Sequence, residues 1–209
     1  MRTNKTETNH RQADKVVAVI DRALADHPRT IAIRFDLRFP WDLLDSLYSD
    51  SPSQHFRADR EVITRFFKSL KSKISHSLSR RKREGKRVHP TNVRYIWCRE
   101  INDSVHCHYH VLILLNKDTF QSPGNYRLID SGLSGMVYSA WASAIELCIE
   151  DAFRLVHFPE NSNYTINKNA DRHLFEEDYN SLVNRALYLA KAFSKYTADG
   201  GRSFGTSQN

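Results

Sequence analysis

No apolar run in this 209-residue chain approaches the roughly 20 residues that a bilayer-crossing helix needs. The start, Met1-Arg2-Thr3-Asn4-Lys5-Thr6, also lacks the apolar core of a signal peptide. A cytoplasmic protein with no membrane partner is therefore expected. Cysteine is scarce: Cys98, Cys107 and Cys148 are an odd number without any Cys-x-x-Cys spacing, which argues against a disulfide framework and a zinc ribbon. Glycine is scarce too, at seven residues, and neither an internal repeat nor a low-complexity run is present. With 40% hydrophobic residues, the chain is expected to bury one core. The expected organisation is a mobile N-terminal segment over 1–10, a single domain over 11–198 and a flexible tail over 199–209.

Acidic residues are nearly missing from one stretch. Between Arg57 and Arg99 there are fourteen Lys or Arg against three acids, an excess of +11 in a chain of net charge +7, so the remainder carries −4. Basicity is thus a patch, which suits a polyanion such as nucleic acid. The candidate DNA-binding residues are Lys68, Lys71, Arg80, Arg81, Lys82, Arg83, Lys86 and Arg87, with Lys195 further on. The alternative is a solvated helix face.

Apolar positions Val16, Val17, Ile20, Ala23 and Leu24 recur at helical spacing up to His27-Pro28. Residues 30–39 alternate as a strand, with Ile31, Ile33, Phe35, Leu37 and Phe39 on one face and Ala32, Arg34, Asp36 and Arg38 on the other. Asp36 between two arginines reads as a cross-strand ion pair, with a position bordering a phosphate path as the alternative. A short helix is expected over 41–48, then a long one from about Asp59 to Arg83 that turns at Gly85. Further along, a helix is expected from Ser131 or Ser134 to Glu150. Strands follow over Phe153–Phe158 and Tyr164–Asn167, and a last helix runs from about Phe175 to Tyr196. His157, on the first of those strands, reads as a structural or surface residue, with an approach to the histidine site as the alternative.

The middle of the chain carries the chemistry. Val93–Ile101 and His106–Leu115 have strand composition around a turn at Asn102-Asp103-Ser104, which makes a β-hairpin. His106, His108 and His110 share a face with Leu112 and Leu114, whereas Cys107, Tyr109, Val111, Ile113 and Leu115 share the other. If the turn centres near Ser104, Glu100 lies across from His108 and Cys98 across from His110. A carboxylate and two imidazoles then converge. That set suits a catalytic Mg²⁺ or Mn²⁺ with open positions, although imidazoles also accept Zn²⁺. A solvated face of alternating histidines is the plainer alternative. Cys98 and Cys107 project from opposite faces, which argues against a structural zinc site using both. In the last helix Leu182, Ala186, Leu189 and Phe193 point inward, while Tyr188, Lys191 and Lys195 follow a neighbouring stripe.

Taken in order, these elements read as a βαββαβ core, a ferredoxin-like α+β sheet with extra helices at both ends. His108-Tyr109-His110, the upstream Glu100 and the downstream Tyr188-Leu189-Ala190-Lys191 resemble the motifs of HUH endonucleases, the rolling-circle replication initiators. Within that superfamily the chain looks like the inovirus replication-initiator group, including the prophage YagK/YfjJ C-terminal-domain proteins. The likeness spans about Ile31 to Thr197.

The resemblance implies a divalent metal on His108 and His110, with Glu100 or its rival His106 as third ligand. It also implies Tyr188 as nucleophile and Lys191 as its helper. Only one tyrosine sits in the motif, so a single-tyrosine mechanism is expected, with a 5′-phosphotyrosyl adduct and a free 3′-hydroxyl that primes replication. The implied partners are single-stranded or origin DNA and host helicase and replication proteins, and a monomer is expected in solution. A relaxase or transposase-type strand transferase and a non-catalytic prophage DNA-binding protein are the alternatives.

Overall fold

The alternating segment after Pro28 forms β1 (Arg29–Leu37) of the computed structural model, which describes residues 5–40, 56–101, 107–130, 132–192 and 202–208. The basic stretch before the hairpin supplies a helix, and the hairpin itself is β2 (Arg94–Ile101) and β3 (Cys107–Asn116). The described residues hold three more short strands, β4 (Val156–His157), β5 (Asn163–Asn167) and β6 (Phe204–Thr206). All six strands form one antiparallel sheet in the order β4-β1-β3-β2-β6, and β5 also pairs with β1. β4 and β5 lie along different parts of the same side of β1, at Asp36–Leu37 and Arg29–Ile33 respectively.

The five described helices are α1 (Lys5–Asp26), α2 (Val62–Arg83), α3 (Gly132–Ile145), α4 (Ile149–Arg154) and α5 (Arg172–Ala192). The sheet is buried on both faces, each with its own apolar cluster. The odd-numbered residues of β1, among them Ile33, Phe35 and Leu37, join Val111 and Ile113 of β3 and pack with α2 and α3. The opposite parity, Ala32, Ile96, Cys98, Leu112 and Leu114, packs with Val16, Ile20, Leu182, Ala186 and Leu189 of α1 and α5. One β3 strand therefore contributes to two cores by alternation alone.

Helix ends follow local chemistry. α2 stops where Gly85 takes φ 73° and Lys86 N–H reaches back to the Arg81 carbonyl at 3.0 Å, a Schellman closure that lets the chain turn towards the hairpin. α3 stops in the same way without a glycine: Glu146 takes φ 61°, and Leu147 N–H donates to the Ala142 carbonyl at 3.1 Å.

Several boundaries differ from those read in the sequence. α1 begins at Lys5, within the segment expected to be mobile. The helix expected to reach Glu150 is broken at Glu146, and Cys148 just beyond the break is exposed. Phe153 and Arg154 are helical in α4, which shortens the expected strand to Val156–His157. The tail over 199–209 contains β6, which adds to β2 from Ile96 to Cys98. Gly205 is required there, because a Cβ at that position would lie 2.5 Å from the Trp97 indole nitrogen. The expected helix over 41–48 lies outside the described residues, as do His106, Phe193, Lys195 and Tyr196.

Candidate metal centre

Cross-strand register builds the site. Glu100 pairs with His108 and Cys98 with His110, the pairing expected from the hairpin. β1 adds a third strand at the same level, with Asp36 opposite His110, and β4 a fourth, with His157 opposite Asp36. Asp36, His110, His108 and Glu100 all lie on the α1/α5 side of the sheet, beyond the point where Leu112 and Leu114 enter the core.

The side chains converge. One ligand atom each from Glu100, His108 and His110 lies within 4.8 Å of the others. His110 Nε2 is 2.8 Å from Glu100 Oε2 and 3.1 Å from His108 Nε2, and His108 Nε2 is 3.6 Å from the same carboxylate oxygen. On its other side, His110 Nδ1 lies 2.6 Å from Asp36 Oδ1. With Nδ1–H donated to Asp36, the Nε2 lone pair faces a carboxylate oxygen and a second imidazole nitrogen. Such crowding of acceptors is favourable only with a proton or a cation between them. The donor set therefore fits a divalent ion, with the buried Asp36 carboxylate orienting one imidazole from behind.

Electrostatics divide the two histidines. Burial, followed by the neighbouring His110, lowers the pKa of His108 despite the nearby carboxylates, so its ring favours the neutral, ligating form. His110 is also penalised by burial, but hydrogen bonds and charge from Asp36 and Glu100 outweigh that and raise its pKa. Burial pushes the Asp36 carboxyl up. The hydrogen bond and charge of His110, with Arg34 and His157, more than offset it, and the net shift is downward. His157 Nδ1 stands 3.7 Å from Asp36 Oδ2 on a half-exposed ring, so it borders the site.

Tyr188 is 65% exposed on α5, the helix that covers the same face of the sheet. Its neighbour Leu189 is buried in the cluster that includes Cys98, the residue paired with His110. Lys191 stands in the last described turn of α5. Of the candidate nucleic-acid contacts, Arg80, Lys82, Arg83, Lys86 and Arg87 are exposed and Arg81 is partly so, around the end of α2. Glu84 draws on this group through Lys86 at 2.8 Å and Arg80 at 3.8 Å. Lys68 and Lys71 are exposed along the middle of α2.

Sequence reasoning treated Asp36 as an ion-pair partner of arginine. The arginine it meets, Arg34 with Nη2 at 3.7 Å, lies two residues away on the same strand, and its cross-strand partner is the closer histidine, His110. Its parity in the alternating strand was the available signal. What was missing was which histidine β1 would be set against.

These features define an α+β protein with a six-stranded antiparallel sheet and a carboxylate–imidazole cluster suited to a metal ion. The chain belongs to the YagK/YfjJ C-terminal domain family, whose model matches residues 1–207. It is 38% identical over 182 residues to the uncharacterized protein YagK of Escherichia coli (strain K12), covering 87% of this chain and 85% of that protein. It is 32% identical over 197 residues to the uncharacterized protein YfjJ of the same strain, covering 93% and 92%. No solved structure matches the chain.

Proposed function

We propose that this chain is a metal-dependent single-stranded DNA endonuclease of the HUH type, which nicks DNA through a tyrosine to initiate rolling-circle replication of a filamentous phage or prophage. The observation that carries the reading is the convergence of Glu100, His108 and His110 at one end of the central hairpin, with Asp36 behind His110. Support also comes from the strand order β4-β1-β3-β2, with α2 between β1 and β2 and α3 between β3 and β4, which is the order of a ferredoxin-like sheet.

In this reading Glu100, His108 and His110 hold Mg²⁺ or Mn²⁺. The ion supplies Lewis-acid polarisation of the scissile phosphate. Asp36 keeps His110 in one orientation by accepting its Nδ1–H. Tyr188 contributes the nucleophile, and its exposure on α5 leaves the hydroxyl accessible to a strand laid over this face. Its oxygen bonds to phosphorus, the bond to the 3′ oxygen breaks, the phenolic proton passes to water, and the departing oxygen gains a proton to become the priming 3′-hydroxyl. Lys191 offsets negative charge as the phosphate is attacked. Arg80 to Arg83, Lys86, Arg87 and Lys195 hold the backbone of the strand, whose partners in the cell are origin DNA and the host helicase and replication proteins.

The test is incubation with single-stranded oligonucleotides spanning the origin of the element that encodes the protein, with Mn²⁺, followed by a denaturing gel. A covalent protein–DNA band is expected from the wild type and none from Tyr188→Phe, which removes only the hydroxyl. An adduct of equal yield in the phenylalanine variant overturns the assignment of the nucleophile. No adduct from the wild type under any divalent ion overturns the nuclease reading.

A further inference from the structure

A groove of about 580 Å³ runs along the β6 edge of the sheet, between β6 and α2. Its aromatic wall comes from the α2-facing side of β2, where Tyr95 and Trp97 alternate with the Ile96 and Cys98 that face the other way. It therefore lies on the opposite side of β2 from Glu100 and the metal cluster. Four cations line it, Lys15 of α1, Lys68 and Lys71 of α2 and Arg202 beside β6, and no carboxylate is among the described lining residues. All four are exposed.

Charge is interleaved with rings. Tyr95 is half-buried and stacked flat on Phe67, with centroids 3.6 Å apart and planes 10° from parallel. The Lys71 ammonium stands 5.3 Å from the Tyr95 centroid, and the Arg202 guanidinium 5.8 Å from that of Trp97. Thr64, Thr206 and Gln208 add uncharged hydrogen-bonding groups. An acidic peptide would use the cations but not the rings, and an isolated inorganic anion would need neither the length nor the aromatic wall. Alternating phosphates and flat bases use both.

We propose that this groove is a second binding track, which holds an unpaired nucleic-acid segment by its phosphates on Lys15, Lys68, Lys71 and Arg202 and by a base against the Tyr95 wall. The track extends the nucleic-acid reading given above to a separate surface, and it requires neither the metal cluster nor Tyr188. It explains why the cations of α2 do not stop at its C-terminal turn. It also gives the last residues of the chain a role: β6 closes one side of the groove, and Gly205 permits the close approach to Trp97 that forms it.

The experiment is fluorescence anisotropy of a labelled dT12 strand in EDTA, where cleavage is suppressed and binding is read alone. The triple variant Lys15→Gln, Lys71→Gln and Arg202→Gln is compared with a control of equal charge change, Arg127→Gln, Arg154→Gln and Lys168→Gln, at exposed positions outside the groove. The groove triple is expected to bind at least about tenfold more weakly and to lower the magnitude of the salt slope by about 2, as loss of three single-strand phosphate contacts requires. The control is expected to stay within about twofold of wild type. Tyr95→Leu is expected to weaken binding about fivefold or more with little change in salt slope. Should it prove unfolded by circular dichroism, the cation variants still decide the matter.

Equal losses in the two triples would reduce the effect to net charge and overturn the proposal. So would an absence of dT12 binding by the wild type, or tighter binding of poly-glutamate than of dT12, which would make the groove a site for acidic protein. The nuclease reading is judged separately. A protein that binds dT12 through the groove yet forms no adduct with Mn²⁺ keeps the track and loses the nuclease, and the reverse result keeps the nuclease and loses the track.

Discussion

The two ends of β3 share one backbone and one face, yet they behave as different materials. Leu112 and Leu114 are fully buried under α1 and α5, whereas His110 and His108, two and four positions from Leu112 towards the turn, hold polar atoms that point at one another and at carboxylates. The apolar end is stabilised by removing surface from water. At the polar end, burial only raises the cost of charge, and that cost is met by pairing donors with acceptors. Damage at one end should therefore appear as lost stability and at the other as lost ligand binding.

The sharpest break in that contrast is expected at the polar end. Replacing His108 by Ala and His110 by Gln should abolish specific Mn²⁺ binding, read by titration calorimetry, and with it any metal-dependent adduct. The circular dichroism spectrum should be retained. Mn²⁺ binding of wild-type strength in this double variant would falsify the cluster as a metal site.

At the apolar end, Leu112→Ala should cost about 2–5 kcal/mol in a denaturant titration, as cavity formation in a fully buried position does. Metal affinity of the folded protein should be unchanged. If it falls as steeply as stability does, the two ends are one cooperative unit and the contrast fails.

Asp36→Asn probes the link between them. The amide keeps the volume but exchanges a charged acceptor for a group that can also donate, so His110 loses its fixed tautomer. A 10–100-fold loss of metal affinity is expected, in the range of altered partners to ligating histidines. Stability should change less than in Leu112→Ala. A variant with unaltered affinity would make Asp36 a structural ion-pair partner only.

The smallest effect is expected on the α2-facing side of the sheet, at Asp59 just before α2, which shares a small pocket with Trp97 and Tyr109. The hydrogen bond from Arg65 leads in drawing the Asp59 carboxyl down from 3.8 to about 2; desolvation opposes it, and hydrogen bonds from Arg57 and the Glu61 N–H add to the lowering. A depressed folded-state value stabilises the fold above the unfolded value, and that contribution is lost as pH falls from about 4 through about 2. Since the Asp59 side chain is 41% exposed, solvent screening limits the contribution to under about 1 kcal/mol. Asp59→Asn should flatten the stability curve in that window alone, and a change confined to neutral pH would contradict the assignment.

Local patterns made much of this molecule readable beforehand. The alternation of residues 30–39 gave β1, the apolar stripe of the basic stretch gave α2, and Gly85 marked its end. The turn residues after Ile101 placed Glu100 against His108 because register in a hairpin follows from its turn. The stripe of α5, with Leu182, Ala186 and Leu189 inward, was legible in the same way. The break at Glu146 was not, since a left-handed residue that is neither Gly nor Asn carries no compositional mark.

What the sequence determined by itself was each element's period and the pairing of neighbours joined by a short turn. These depend on side chains within a few residues of one another. Tertiary structure decided the rest. Asp36 meets His110 across 74 positions only because β1 docks beside β3 in one register, and β6 reaches β2 from more than 100 residues away. No local propensity encodes those encounters. They are selected when two sheet faces bury their apolar residues at once, and that burial sets the buried carboxylate behind the imidazole and the aromatic wall beside the cations.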